Sequence, residues 1–154
     1  MVSRLEVAWT LAVVALITGV AVYSTVLLYK IDALDPTPNE IVDVTGHQWY
    51  WQFYYPANHT SVNSTYNAAT NTVSGGELWA QPGWVVQLNI TSSDVIHSFN
   101  IPQLGIRLDA IPGRMNYIDV QIPSSAAVGT MYLIQCTEFC GTYHGTMRSF
   151  LEIT

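Results

Sequence analysis

From Val7 to Tyr29 the chain runs 23 residues without a charged side chain, "VAWTLAVVALITGVAVYSTVLLY". As an α-helix this run would be about 35 Å long, enough to cross the hydrocarbon core of a bilayer with some tilt. Arg4 and Glu6 precede it, Lys30 and Asp32 follow it, and Trp9, Tyr23 and Tyr29 sit near its ends or one turn inside. Amphipathic rings favour that depth, at the membrane–water boundary. The apolar core of a signal peptide is shorter, so residues 1–33 are expected to be a retained membrane anchor, spanning about 7–29. The run also helps explain why only 10% of the residues are charged, against about 25% in ordinary soluble domains.

Charge sets the expected orientation. Arg4 and the terminal amine favour an N-terminus on the cytoplasmic side, while Lys30 pulls weakly the other way. From Leu34 onward nine acids face three arginines, a net of −6. Asn-x-Ser/Thr sequons stand at Asn58, Asn63 and Asn89, and two within eight residues suit an external loop. The expectation is a single-pass protein of the cell membrane with its domain on the outer face. A nucleic-acid partner is not expected.

Residues 34–40, containing "DPTPNE", read as a linker, because two prolines resist restarting the helix. Residues 41–154 then read as β structure. "EIVDVTG", "QWYWQFYY", "ELWAQ", "WVVQLNIT", "VIHSFNI", "RMNYIDVQI", "TMYLIQ" and "MRSFLEI" are rich in β-branched and aromatic residues, with Pro and Gly punctuating most gaps. "PANHTSVNSTYNAATNTVSGG", residues 56–76, is polar and predicts a long surface excursion with a loose hairpin. "GIRLDAIPGR" reads as a loop, whose Arg107, Asp109 and Arg114 would pair with each other or with another subunit. Seven or eight short strands at this spacing predict a Greek-key β-sandwich or barrel.

"CTEFCGTYHGTM", residues 136–147, holds both cysteines of the chain, one of its four histidines and one of its four methionines. A disulfide between Cys136 and Cys140 would close a short loop, stabilise little, and leave His144 and Met147 without a purpose. Metal ligation uses more of the set. Cys136, Cys140, His144 and the distant His97 could make a tetrahedral zinc site, but a thioether such as Met147 suits copper. A mononuclear blue-copper site needs one cysteine, and here there are two. Two thiolates can bridge two copper ions, each completed by one imidazole and one weak axial donor: Met147 on one ion, a backbone carbonyl from the loop between the cysteines on the other. His47 reads as a hydrogen-bonded structural residue and His59 as a solvated one.

The pattern Cys-x-Glu-x-Cys-x₃-His-x₂-Met, with "DVIHSF" upstream, resembles the dinuclear copper A site of subunit II of haem–copper oxidases, the cytochrome c oxidase family. "VTGHQWYWQF" at 44–53 and "GIRLDAIPGRMN" at 105–116 are similar to further stretches of that family. The likeness runs from about residue 41 to the C-terminus, broken by the polar insertion at 57–75. It implies a cupredoxin fold and the electron-accepting role of an oxidase subunit, with oxygen chemistry left to subunit I. It implies that His97 and Met147 complete one copper, His144 and the Glu138 carbonyl complete the other, and Cys136 and Cys140 bridge. It further implies a magnesium ion held by the Glu138 side chain at the contact with subunit I. Trp49 becomes the aromatic at which electrons arrive from an external donor, a cytochrome c or small copper protein, with Trp51 a weaker candidate. The single helix resembles the short subunit II of ba3-type oxidases, in which a glutamate at the position of Glu6 marks proton uptake; a plain flanking charge is the simpler reading. Asn100 departs from the tryptophan the family often carries after "HSF". Two other classes remain compatible with the ligands: a membrane-anchored copper chaperone, and the copper A subunit of a nitric oxide reductase.

Overall fold

A computed structural model describes residues 3–67, 69–70, 72–74 and 77–154. The chain divides into two compact units, Met1–Ala33 and Leu34–Thr154. The first is one helix, α1 (Arg4–Ile31). Ser3 caps it: its hydroxyl accepts from the Glu6 N–H, and the Glu6 carboxylate accepts from the Ser3 N–H. This reciprocal pair satisfies backbone donors that a helix start leaves open. Within the helix the hydroxyls of Thr10 and Thr25 donate to carbonyls four residues back, so these two side chains are satisfied within the helix. None of its side chains is buried, and its length and composition are those of a membrane-crossing helix.

The second unit is a β-sandwich. One sheet contains β1 (Glu40–His47), β2 (Tyr50–Tyr55), β3 (Thr60–Asn63), β7 (Val85–Ser92) and β10 (Asn116–Gln121), in the order β10-β7-β1-β2-β3. The other contains β6 (Leu78–Ala80), β8 (His97–Ile101), β9 (Ile106–Ala110), β11 (Met131–Cys136) and β12 (Arg148–Ile153), in the order β6-β12-β11-β8-β9. A two-stranded ribbon pairs β4 (Thr65–Asn67) with β5 (Thr72–Ser74). β1 runs parallel to β7, and β6 parallel to β12; the other pairings are antiparallel.

Alternation drives this assembly. Every second residue of β7 is buried, and β1 and β2 follow the same period, so one face of each strand is apolar and must be covered. The two apolar faces meet in a core that includes Trp51, Phe53, Leu88, Ile90, Phe99, Ile134 and Leu151. Trp51 and Phe53 both meet Phe99 edge-on, with ring centroids 5.1 and 6.5 Å apart.

Two sequence expectations need revising. "GIRLDA" is not loop: residues 106–110 form β9, the edge strand beside β8. Its Ile106, Leu108 and Ala110 alternate toward the core, a period that the flanking Gly and Pro obscured. Arg107 donates to the Ser98 hydroxyl at 3.3 Å, and among the described residues no ion pair joins Arg107, Asp109 and Arg114. The polar excursion contains the expected hairpin but is also part of the sandwich. Its first part, β3, pairs with β2 and extends the first sheet, while β4 and β5 form the ribbon.

Candidate metal centre

β11 ends at Cys136 and β12 begins at Arg148, so the soft residues of the 136–147 stretch occupy the connection of one antiparallel hairpin. Both stems of that connection are fixed. The Cys136 N–H donates to the Met147 carbonyl at 3.1 Å, and the Thr137 N–H donates to the Ser98 carbonyl on β8 at 3.0 Å. His144–Thr146 make a 3-10 turn that brings the chain back toward β12. The loop thus lies across the end of β8, whose first residue is His97.

The donor atoms converge. Cys136 Sγ and Cys140 Sγ are 3.8 Å apart, and both cysteines are free. His97 Nδ1 is 3.8 Å from Cys136 Sγ, and His144 Nδ1 is 3.4 Å from Cys140 Sγ. Met147 Sδ lies 3.9 Å from Cys140 Sγ, and the Glu138 carbonyl lies 3.2 Å from Cys136 Sγ. One nitrogen of His97 and the two sulfurs fall within 4.8 Å of one another. Two sulfurs flanked by two imidazole nitrogens, a thioether and a carbonyl form a donor set that suits soft or borderline metal ions, copper among them. The Glu138 carboxylate does not join this cluster; the side chain is exposed.

Motif residues that are not themselves candidate ligands hold the candidate ligands in place. His97 Nε2 meets Asp94 Oδ1 at 2.8 Å, which leaves Nδ1 to face the sulfurs. Asp94 Oδ2 accepts from the Gln48 N–H at 2.7 Å. Gln48 Nε2 and the Trp49 indole N–H both donate to the Cys140 carbonyl, at 2.6 and 3.1 Å. The turn between β1 and β2 therefore clamps both ligand segments at once. Two glycines make room for it. A Cβ on Gly46 would stand 2.8 Å from the His97 ring, and one on Gly141, at φ +117°, would stand 3.0 Å from Gln48 Nε2 and 3.2 Å from the Trp49 ring. Asp94, Gln48, Gly46 and Gly141 are the residues that sequence reasoning missed. The one available signal was position: each flanks or lies within a few residues of a candidate residue.

Burial and charge act differently on the two thiols. Burial raises the Cys136 thiol, but hydrogen bonding with His97, the Ser98 and Glu138 backbone and Cys140 outweighs it and brings it down to about 7. Burial and the neighbouring Cys136 charge push Cys140 up to about 12. Burial disfavours the His97 cation, yet its contacts with Cys136 and Asp94 raise it on balance. Asp94 is held below the ordinary carboxylate range: its partial burial is outweighed by the His97 ring and the Gln48 and Val95 N–H groups.

The remaining candidates separate clearly. Trp49 is half-buried against the Cys140 carbonyl and meets Tyr143 edge-on at 4.9 Å. Trp51 is fully buried and packs on Phe99 and, at 6.0 Å, on His97. His47 contacts the Ser93 hydroxyl at 2.7 Å and stacks on Tyr50. His59 is exposed and reaches the Tyr54 hydroxyl at 3.0 Å. Asn58 and Asn63 are exposed, whereas Asn89 lies inside the first sheet with its amide donating to Asp43 at 2.7 Å.

Comparison with known proteins decides the family. The profile described as "Cytochrome C oxidase subunit II, periplasmic domain" matches residues 40–154. The chain belongs to the cytochrome c oxidase subunit II family. It is 33% identical to cytochrome c oxidase subunit 2 of Branchiostoma floridae over 157 aligned residues, covering 96% of this chain and 66% of the relative's length. Its fold is similar to the periplasmic domain of subunit II of cytochrome oxidase from Bradyrhizobium japonicum, with a TM-score of 0.69 at 29% identity over 79% of this chain and 88% of that one. A second solved subunit II, captured as a mixed disulfide intermediate with a thioredoxin-like protein, gives a TM-score of 0.64 at 29% identity over 79% of this chain and 86% of that one. Sequence reading and comparison thus agree on a subunit II fold: one apolar helix followed by a cupredoxin-like sandwich. Copper binding is a property of this family's domain, and the His97, Cys136 and Cys140 cluster is compatible with it.

Proposed function

We propose that this chain is the electron-accepting subunit of a haem–copper oxygen reductase, a cytochrome c oxidase. It takes single electrons from an external donor at a dinuclear copper centre and passes them to haem in subunit I. The observation that carries this reading is the convergence of two free thiols, two imidazole nitrogens, a thioether and a backbone carbonyl in one cluster at the edge of the core. His97 and Met147 would hold one ion, and His144 and the Glu138 carbonyl the other, with Cys136 and Cys140 shared between them. When bound, a copper pair supplies a one-electron carrier whose charge change is divided over two ions, which keeps bond-length changes small.

The chain's own residues do the remaining work. The two sheets fix His97, and the hairpin stems fix Cys136 and Met147, so the donors are positioned before a metal arrives. Asp94 orients the His97 ring, and Gln48 and Trp49 fix the Cys140 carbonyl. Burial of His97, Cys136, Cys140 and Met147 keeps water from the ligands. Trp49 links the surface to Cys140 through its indole N–H and is the point at which electrons arrive. The exposed Glu138 carboxylate would serve magnesium at the contact with subunit I. α1 anchors the chain as a single pass, with its N-terminus cytoplasmic and the sandwich on the outer face. Before metal loading the thiols must stay reduced, and a thioredoxin-like reductant of the kind caught on the solved relative fits that need.

The test is metal analysis and electron paramagnetic resonance of the purified full chain loaded with copper. Two ions per chain and hyperfine structure from two equivalent copper nuclei are expected. A single-copper pattern, or a Cys136–Cys140 disulfide persisting in copper-supplied protein, would overturn the proposal.

A further inference from the structure

Beside Trp49 the sandwich opens a cleft of about 550 Å³. One side is Trp49, Tyr50 and Tyr143; the other is Asn63, Thr65 and Tyr66, which belong to the polar excursion. All of the lining side chains are uncharged, on a chain whose net charge is −6. Tyr143 is 57% exposed although it packs edge-on against Trp49. The Trp49 indole N–H in turn reaches the Cys140 carbonyl, so the cleft lies one hydrogen bond from a residue of the candidate centre. Aromatic walls with a few hydroxyl and amide groups recognise apolar, weakly polar surface. They offer a lysine-rich surface no carboxylate to pair with.

We infer that the excursion is a donor-selecting element: β3 and β4 together with Trp49 and Tyr143 form a socket for an uncharged, protruding apolar surface of a protein electron donor. This rests on the electron-accepting role proposed above and adds to it the kind of partner. Docking of this type draws on buried aromatic area rather than long-range attraction, so it is insensitive to salt. The Asn63 sequon opens onto the socket, and a glycan there would close it.

The experiment uses the copper-loaded full chain in detergent and follows copper reduction by stopped flow. The probes are a reduced blue copper protein with an apolar face around its copper, a reduced lysine-rich cytochrome c, and ascorbate. With the blue copper protein the second-order rate constant is expected to change by less than about two-fold between roughly 20 and 200 mM salt. Thr65→Lys and Tyr66→Ala are each expected to lower it about ten-fold, while Thr65→Ser restores it. Reduction by ascorbate and the paramagnetic resonance spectrum should be the same in all variants, which separates a docking effect from a misfolded site. Four results overturn the inference alone: a rate that falls steeply with salt, reduction by the lysine-rich cytochrome but not by the blue copper protein, reduction by neither protein, or a native glycan on Asn63. Cleft variants that leave the protein-donor rate unchanged also overturn it, and assign the cleft to a small ligand or a second copy of the chain. A chain that binds no copper, or whose copper ascorbate cannot reduce, removes the electron-carrier reading and this inference with it.

Discussion

The two halves of the candidate centre are built differently. His97 and Met147 are fully buried; His97 opens a strand and is held by Asp94. His144 stands on a 3-10 turn, half-buried, with the preceding Phe139 78% and Tyr143 57% exposed. The first half is part of the sandwich core, and the second is a surface loop fastened at its stems. An electron carrier needs both properties: a rigid frame that limits ligand movement, and an edge close enough to a partner for transfer. The asymmetry predicts that substitutions on the His97 side act on folding and metal together, while those on the His144 side act on metal alone.

The largest effect should come where the halves meet. In the proposed centre both sides share the sulfurs of Cys136 and Cys140, so Cys136→Ser or Cys140→Ser should abolish the two-nucleus hyperfine pattern and leave at most one ion per chain. A variant that keeps two equivalent copper nuclei would show that the thiols do not bridge. The next contrast is between the histidines. His97→Ala removes a ring from the core and leaves Asp94 without its partner, so chemical denaturation of the copper-free protein should show a loss of about 2–4 kcal/mol. His144→Ala should cost less than about 0.5 kcal/mol in the same measurement. Equal losses would erase the distinction between the halves.

The convergence of sulfur and imidazole donors was legible in the sequence, because soft side chains at intervals of four and three residues have few other uses. The long apolar helix and most strands were legible too, since their periods are strong. β9 was not, because a five-residue strand between Gly and Pro carries too few turns of its period to outweigh its neighbours. The clamp formed by Gln48, Asp94 and Trp49 was invisible for another reason. Gln48 and Cys140 are 92 residues apart, and only the pairing of the sheets brings them together. Gly46 and Gly141 belong to the same class: their role is the room they leave, which no side-chain pattern announces.

Gly46 gives a sharper test of how tightly the buried half is packed. A methyl group there would meet His97 Cδ2 at 2.8 Å and Trp51 Cζ3 at 3.2 Å, both in fully buried rings. Gly46→Ala should therefore lower stability by about 1–3 kcal/mol, measured by denaturation. It should also alter the copper hyperfine splitting, since the imidazole must move. Unchanged stability and spectrum would mean that the His97 side yields as easily as the loop.

The smallest expected effect is a change of slope with pH, and it divides the same way. Metal binding requires both thiolates, so loading releases every proton the two sulfurs carry. Cys140, pushed up to about 12, keeps its proton throughout the neutral range; Cys136, brought down to about 7, regains one only on the acid side of that value. Affinity must then fall as pH falls, by at least about ten-fold per unit above the Cys136 value and more steeply below it, where the thiol and the His97 imidazole, whose cation is favoured, both hold protons that a metal must displace. Competition against a chelator of known protonation behaviour, from alkaline to mildly acidic pH, would locate the break. Asp94→Asn should move the break upward, because the His97 ring that holds the Cys136 thiol down loses the carboxylate supporting its charge. A slope with no break, or a break indifferent to Asp94, would show that His97 does not distinguish one sulfur from the other.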